Sequence, residues 1–129
     1  MRILLDTHVL IWAVADPDRL DAKTRDDLED SGNELLFSAA SIWEIAIKYR
    51  LSRPDFLHEP REIARAARAT GFVELPIRAT AAAEVATLPL LHRDPFDRLL
   101  ISQALAEPAT FYTADAQLAA YSNLVKCIG

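Results

Sequence analysis

Two aspartates spaced one helical turn apart lie in the stretch of sequence with the clearest chemical potential, His92-Arg93-Asp94-Pro95-Phe96-Asp97. Pro95 is typical of the first position of a helix, where its missing N–H costs nothing, and Asp94 is a good N-cap. Asp97 follows one turn later, beside Asp94 on the helix surface. The pattern therefore predicts a helix that begins with two neighbouring carboxylates. A well-capped helix with acids at the positive end of its dipole explains the same pattern without any ligand.

Three further acids lie just after segments that read as short buried strands. Asp6 closes an apolar segment at residues 3–5, and Glu44 lies in the first turn of the helix predicted after a strand at 34–38. Asp115 lies two residues past a predicted strand at 110–113. Since ligands of open α/β sheets bind beyond the carboxyl ends of the strands, Asp6, Glu44 and Asp115 are predicted to share that edge.

Asp97 joins this group if its helix starts at the same edge of the sheet. Four carboxylates within a few ångströms repel one another, and burying them unpaired is costly. Arg93 and Arg98 can neutralise a pair of acids, but four favour a divalent cation. An all-oxygen ligand set suits Mg²⁺, with Mn²⁺ as a substitute, and no histidine or cysteine lies at zinc spacing. Such an ion activates water and neutralises charge during phosphodiester hydrolysis.

Ordinary helix capping explains two of these acids as well as a metal does. Glu44 completes an S-x-x-E capping box with Ser41, and Asp115 can be an N-cap. Asp6 is harder to explain in this way because Thr7 is available to cap the following helix. The hydroxyls of Thr7 and Thr113 can orient a carboxylate or a metal-bound water, although each can equally be a helix cap.

Short apolar strands alternate with helices along the 129 residues. This alternation predicts an α/β fold with three layers, α/β/α, around a mainly parallel sheet of four to five short strands. The length predicts a single domain over residues 1–129. The predicted strands cover residues 2–6, 34–38, 72–75, 110–113 and 124–128, and the longer helices cover 8–16, 21–30, 41–49, 60–70, 80–88 and 95–107.

Composition narrows the class of protein. A net charge of −5 argues against a protein that coats nucleic acid by electrostatics alone. Residues 48–68 reverse the balance, with six basic residues against three acids, which suits a phosphodiester ligand but also an ordinary solvated helix face. No run of about 18 apolar residues predicts a membrane span. Cys127 is the single cysteine, and we expect a cytoplasmic protein.

Four segments of the sequence are similar to those of the PIN-domain family, and specifically to VapC-type toxin ribonucleases of type II toxin–antitoxin pairs. They are LLDTHVLIW (Leu4–Trp12), SAASIWEIAIK (Ser38–Lys48), HRDPFDRLLISQA (His92–Ala104) and FYTADAQLAAY (Phe111–Tyr121). The segments follow the family's order and span nearly the whole chain. Any one of them alone is a weak signal, but together they are specific.

The resemblance implies an Mg²⁺-dependent endoribonuclease toxin that forms a homodimer. It also implies a cognate antitoxin whose C-terminal segment lies in the groove near the active site. The acids that correspond to the family's catalytic and metal-binding set are Asp6, Glu44, Asp97 and Asp115, with Asp94 as an auxiliary acid. We further predict RNA contacts from Lys48, Arg50 and Arg98.

The sequence departs from the family pattern at two places. Ala114 stands where many relatives carry a basic residue, and the turn at residues 51–54 lacks the glycine often found there. His8 and His92 are interpreted as structural residues, because a metal-activated water needs no histidine.

Two other functions stay open at this point. A Mg²⁺-dependent phosphatase or phospho-accepting domain would use Asp6 as its nucleophile, but it needs an adjacent acid and a positioned lysine. Thr7 and His8 follow Asp6 instead, and Lys126 is the only lysine late in the chain. A non-catalytic interaction module of the same fold is the other alternative, although all four acids are present.

Overall fold

A computed structural model describes residues 1–128 of the chain and contains one parallel sheet of five strands. The strands are β1 (Arg2–Leu5), β2 (Glu34–Ser38), β3 (Val73–Leu75), β4 (Thr110–Thr113) and β5 (Val125–Cys127). Their order across the sheet is β3-β2-β1-β4-β5, and every neighbouring pair is parallel. The predicted α/β fold with a parallel sheet is confirmed.

Six α-helices connect or follow these strands. They are α1 (Thr7–Ala15), α2 (Ala22–Glu29), α3 (Ala39–Arg50), α4 (Pro60–Thr70), α5 (Ala79–Glu84) and α6 (Pro95–Ala106). Short 3₁₀ helices cover Pro17–Arg19, Val85–Thr87 and Ala116–Tyr121. The predicted alanine-rich helix at 80–88 is therefore shorter than expected, since its last turn is 3₁₀. Within residues 1–128, no helix is both long and apolar enough to cross a bilayer.

Side chains of the strands alternate between two hydrophobic cores, one on each face of the sheet. Leu5 points into a core that α1 and α4 complete with Val9 and Ile63. Leu4 points to the opposite face, into a core that α6 completes with Leu100. The central strands are buried on both faces, as expected for a parallel sheet. The two cores confirm the three-layer α/β/α arrangement.

The helix starts differ from the predictions at two places that matter for the site. Asp6, not Thr7, is the N-cap of α1, and its Oδ1 accepts from the Val9 N–H at 2.8 Å. Ser38, not Ser41, is the N-cap of α3, so the predicted capping box is wrong. Both helices begin directly at the end of a strand. The polar residue at the junction of strand and helix, Asp6 or Ser38, therefore accepts from the free N–H groups of the helix.

Two turns place a residue in the left-handed region of backbone space. Gly71 closes α4 with a φ of 100°. Ser52, in the turn after α3, has a φ of 56°. This is the turn predicted to lack a glycine often found in relatives, and here a serine takes the left-handed conformation. The left-handed conformation costs a residue with a side chain roughly 1–2 kcal/mol.

Candidate active site

Six carboxylates line one cavity of about 520 Å³ at the carboxyl edge of the sheet. The segments after β1 and β4, the middle of α3 and the start of α6 converge there. Lys48 is the one lysine or arginine that lines the cavity among the described residues. The six acids are Asp6, Glu44, Asp55, Asp94, Asp97 and Asp115. The structure therefore brings together all four acids of the predicted set, and Asp94 with them.

Asp6 is the most firmly held carboxylate of the cavity. It is buried directly after β1, and its Oδ2 accepts from Thr113 Oγ1 at 2.5 Å and from the Ala114 N–H at 3.2 Å. Together with the Val9 N–H on Oδ1, three donors fix its position. Burial raises the pKa of Asp6, and these hydrogen bonds act in the opposite direction. Thr113 thus orients Asp6 from behind, in the supporting position predicted for it.

Glu44 lies in the second turn of α3, because that helix begins earlier than predicted. Its side chain is buried, and its Oε1 accepts from Thr7 Oγ1 at 2.6 Å. Its Oε2 pairs with Lys48 Nζ at 2.5 Å. Thr7 Oγ1 also lies 3.1 Å from Ser41 Oγ, which restricts the hydroxyl's rotation. Thr7 and Lys48 therefore fix the orientation of the Glu44 carboxylate.

The acids are close enough for their charges to interact. Burial, followed by repulsion from Asp94, Glu44 and Asp6, raises the pKa of Asp97 from 3.8 to about 7. A hydrogen bond with His92 acts in the opposite direction. Asp94 is nearby because it is the N-cap of α6, where its Oδ1 accepts from Phe96 N–H at 2.8 Å. At neutral pH the cavity carries more negative charge than its own side chains neutralise.

His92 belongs to this cluster, which sequence reasoning missed. Its Nε2 lies 3.0 Å from Asp97 Oδ2 and 3.7 Å from Asp115 Oδ2. Ligand atoms of His92, Asp94 and Asp97 all lie within 4.8 Å of one another. The sequence contained a signal for this proximity, because His92 stands two residues before Asp94, the N-cap of the helix that carries Asp97. His92, interpreted from the sequence as a structural residue, is hydrogen-bonded as expected, but its partner is one of the acids of the cavity.

His8 also lines the cavity. Its Nε2 is 3.9 Å from Asp55 Oδ2, and its ring contacts those of Trp12 and Phe56. The ring centroids are 5.9 Å and 5.3 Å away, respectively. His8 therefore brings aromatic rings close to the carboxylate of Asp55.

The three residues predicted to contact RNA have different surroundings. Lys48 lines the cavity, whereas Arg50 is exposed in a separate groove beside Tyr49. Arg98 is buried, and its guanidinium donates to the Tyr121 hydroxyl and to three backbone carbonyls, those of Val85, Leu88 and Pro89. The prediction for Arg98 is wrong, because all of these contacts turn its charge away from solvent. It stabilises the segment that precedes α6.

Part of the basic stretch at 48–68 is an ordinary solvated helix face. Arg65 pairs with Glu62 at 3.0 Å, and Arg68 pairs with Glu74 at 3.5 Å. All four side chains are largely exposed, so these pairs contribute little to stability. Neither arginine lines the acidic cavity.

A parallel α/β/α domain with a carboxylate-lined cavity at the carboxyl edge of its sheet is the class that this fold and site define. The chain belongs to the PIN domain family, whose pattern matches residues 3–124. No protein with a curated description matches the sequence. The fold is similar to a chain in the crystal structure of VapBC2 from Rickettsia felis bound to a DNA fragment from their promoter. That match covers 100% of both chains with a TM-score of 0.74 and 18% identity.

Proposed function

We propose that this protein is a divalent-metal-dependent endoribonuclease and the toxin of a type II toxin–antitoxin pair. The observation that carries the proposal is the cavity in which six carboxylates face a single lysine. Membership of the PIN domain family supports a nuclease, and the fold shared with a chain of VapBC2 supports a toxin. Hard cations prefer oxygen ligands, and here the carboxylates outnumber the lysine that could neutralise them.

The acids present fit a divalent cation, because six carboxylates line the cavity with only one lysine among the described residues. Asp6, Glu44, Asp97 and Asp115 would hold it, with Asp94 as an auxiliary acid. Mg²⁺ suits this set, with Mn²⁺ as a substitute. When bound, the ion supplies a water activated for attack and neutralises charge on the phosphodiester in the transition state.

The chain's own residues prepare the site for that chemistry. Thr113 and the Ala114 N–H hold Asp6, while Thr7 holds Glu44, so these carboxylates need little reorganisation. Lys48 pairs with Glu44 and is the lysine or arginine of the described cavity lining that can meet an incoming phosphate. RNA contacts from Lys48, and from Arg50 in the neighbouring groove, belong to this proposal.

The phospho-acceptor alternative finds no support in the placement of the lysines. That chemistry needs a lysine next to the nucleophilic Asp6. Lys126 lies elsewhere, with its Nζ 3.5 Å from Asp27 Oδ2 and 3.5 Å from the Tyr112 hydroxyl. Lys48 pairs with Glu44.

A cleavage assay with purified, untagged protein tests the proposed function. We expect cleavage of a mixed structured and single-stranded RNA pool in Mg²⁺, loss of cleavage in EDTA, and recovery when excess Mg²⁺ is added back. A single-stranded DNA of matched sequence should remain intact under the same conditions. Cleavage that persists in EDTA would contradict the metal-dependent mechanism, and cleavage of DNA alone would contradict the ribonuclease assignment.

A homodimer is part of the same proposal and finds support in an exposed apolar stripe on α3. Trp43 and Ile47 of α3 and its C-cap residue Leu51 follow one another at the spacing of one helix face. Their exposed fractions are 58%, 36% and 59%. A stripe of this kind is typical of an interface with another protein surface. We propose that a second copy covers it.

Replacing Ile47 with glutamate is expected to convert a dimer to a monomer, because burying a carboxylate in an apolar interface is costly. Light scattering after size exclusion measures the mass of each form. Leu105→Glu is the matched control, since Leu105 is a similarly exposed apolar residue on a different helix. A dimer that persists in Ile47→Glu would show that the interface lies elsewhere.

The second protein partner in the proposal is a cognate antitoxin that lies in the groove near the cavity. The VapBC2 match supports a partner of this kind. The acidic cavity complements basic side chains of such a partner. A cytoplasmic location follows from the proposal, because cellular RNA and the antitoxin are found there.

A further inference from the structure

We propose that His92 is a nitrogen ligand of the bound cation, so that the site favours transition-metal dications over Mg²⁺ more strongly than its carboxylates alone would. The inference rests on the proposed metal-dependent function and adds a residue to it. Imidazole binds later first-row metals well, whereas Mg²⁺ prefers oxygen. A mixed nitrogen and oxygen set therefore changes which ion the site selects.

The first observation is the place of the imidazole among the acids. His92 Nε2 is 3.0 Å from Asp97 Oδ2, and ligand atoms of His92, Asp94 and Asp97 lie within 4.8 Å of one another. Neighbouring ligands of an ion bound at about 2.1 Å lie about 3 Å apart, and opposite ligands about 4 Å. These three residues need only a small contraction to surround one ion.

The second observation is that the backbone of His92 is fixed independently of the acids. The His92 N–H donates to the Tyr121 hydroxyl at 3.0 Å. The same hydroxyl accepts from Arg98 Nη1 at 3.1 Å. The remaining contacts of that guanidinium are backbone carbonyls of the preceding segment, at Val85, Leu88 and Pro89. A buried arginine and a tyrosine thus hold the segment that presents the imidazole, which lowers the ordering cost of binding.

A role as a metal ligand differs measurably from a role in orienting Asp97. Loss of an imidazole ligand weakens the binding of a nitrogen-preferring ion far more than that of Mg²⁺. Loss of a residue that only orients Asp97 weakens both ions by the same factor, because both use that carboxylate. The ratio of the two affinities therefore separates the two roles.

The experiment measures Co²⁺ and Mg²⁺ binding by titration calorimetry with untagged protein at one fixed pH. His92→Gln is expected to lower Co²⁺ affinity about tenfold or more and to leave Mg²⁺ affinity within about twofold. The visible absorption spectrum of bound Co²⁺ should also change in this variant. His58→Gln is the matched control, because His58 is exposed and does not line the cavity, and both affinities should stay as in the wild type.

Tyr121→Phe is a second, milder variant that keeps the imidazole and removes the hydroxyl that accepts from His92 N–H. We expect a several-fold loss of Co²⁺ affinity with Mg²⁺ affinity unchanged. Equal losses for both ions, or unchanged Co²⁺ affinity in both variants, would overturn the assignment of His92 as a ligand. Wild-type protein that binds neither ion would overturn the proposed metal site as well. The failures of the two proposals are thereby distinguishable.

Discussion

Asp6→Asn is expected to lower metal-dependent RNA cleavage about a thousandfold or more while changing the free energy of unfolding by less than about 1 kcal/mol. The expected loss follows from removing a proposed charged ligand of the metal ion. Charge stabilisation by a bound ion contributes several kcal/mol to the transition state, and each 1.36 kcal/mol is tenfold in rate. Single-turnover cleavage and urea denaturation measure the two quantities on the same preparation.

The fold tolerates this substitution for a specific reason. An asparagine keeps an oxygen that accepts from the Val9 N–H. Its amide N–H can donate to the Thr113 hydroxyl, which then accepts the hydrogen bond that it donates in the wild type. The contact with the Ala114 N–H is lost, at a cost of about 1 kcal/mol. Relief from burying a charge, the same burial that raises the pKa of Asp6, offsets that cost.

Asp27→Asn is the matched control for Asp6→Asn. Asp27 is also largely buried, where it accepts from the Tyr112 hydroxyl at 2.7 Å and from Lys23 Nζ at 2.6 Å, but it does not line the cavity. We expect this variant to lose stability and to keep its cleavage rate. Cleavage by Asp6→Asn at the wild-type rate would remove Asp6 from the site.

The metal-free protein is expected to lose stability as the pH rises from about 4 to about 7. The pKa of Asp97 is about 7 in the folded chain against an ordinary value of 3.8. Between these values the folded state keeps a proton that the unfolded state has released, so the free energy of unfolding falls with pH. Three pKa units correspond to at most roughly 4 kcal/mol. The raised pKa of Asp6 acts in the same direction.

Asp97→Asn is expected to remove most of this pH dependence and to make the metal-free protein more stable than the wild type at pH 8, by about 1–3 kcal/mol. We expect the variant to lose cleavage at the same time, since Asp97 belongs to the proposed metal-binding set. Urea denaturation in EDTA across the pH range gives the stabilities. Asp18→Asn serves as the control, because that carboxylate is 96% exposed. If the free energy of unfolding of the wild type stays constant or rises between pH 4 and 7, burial and repulsion among the acids do not raise the pKa of Asp97.

Local patterns in the sequence were sufficient for much of this fold. The helix start at Asp94 and Pro95 was predictable because an N-cap and a first-turn proline act within a few residues of each other. The strands at residues 34–38 and 110–113 were also predictable from their apolar side chains, and both have the predicted bounds. The start of α3 was not, because Ser38 and Ser41 are both capable caps, and the point where β2 ends decides between them.

The sequence alone determined that strands alternate with helices, and therefore that acids following parallel strands face a common edge. This much follows from chain order, because helical crossovers join parallel strands and the carboxyl ends of parallel strands share one edge. Tertiary structure alone decided which neighbours each side chain has. The Arg98 guanidinium donates to three backbone carbonyls, and the His92 ring lies beside Asp97 and Asp115. These contacts join distant segments, and no local propensity specifies the direction of a long side chain in a packed interior.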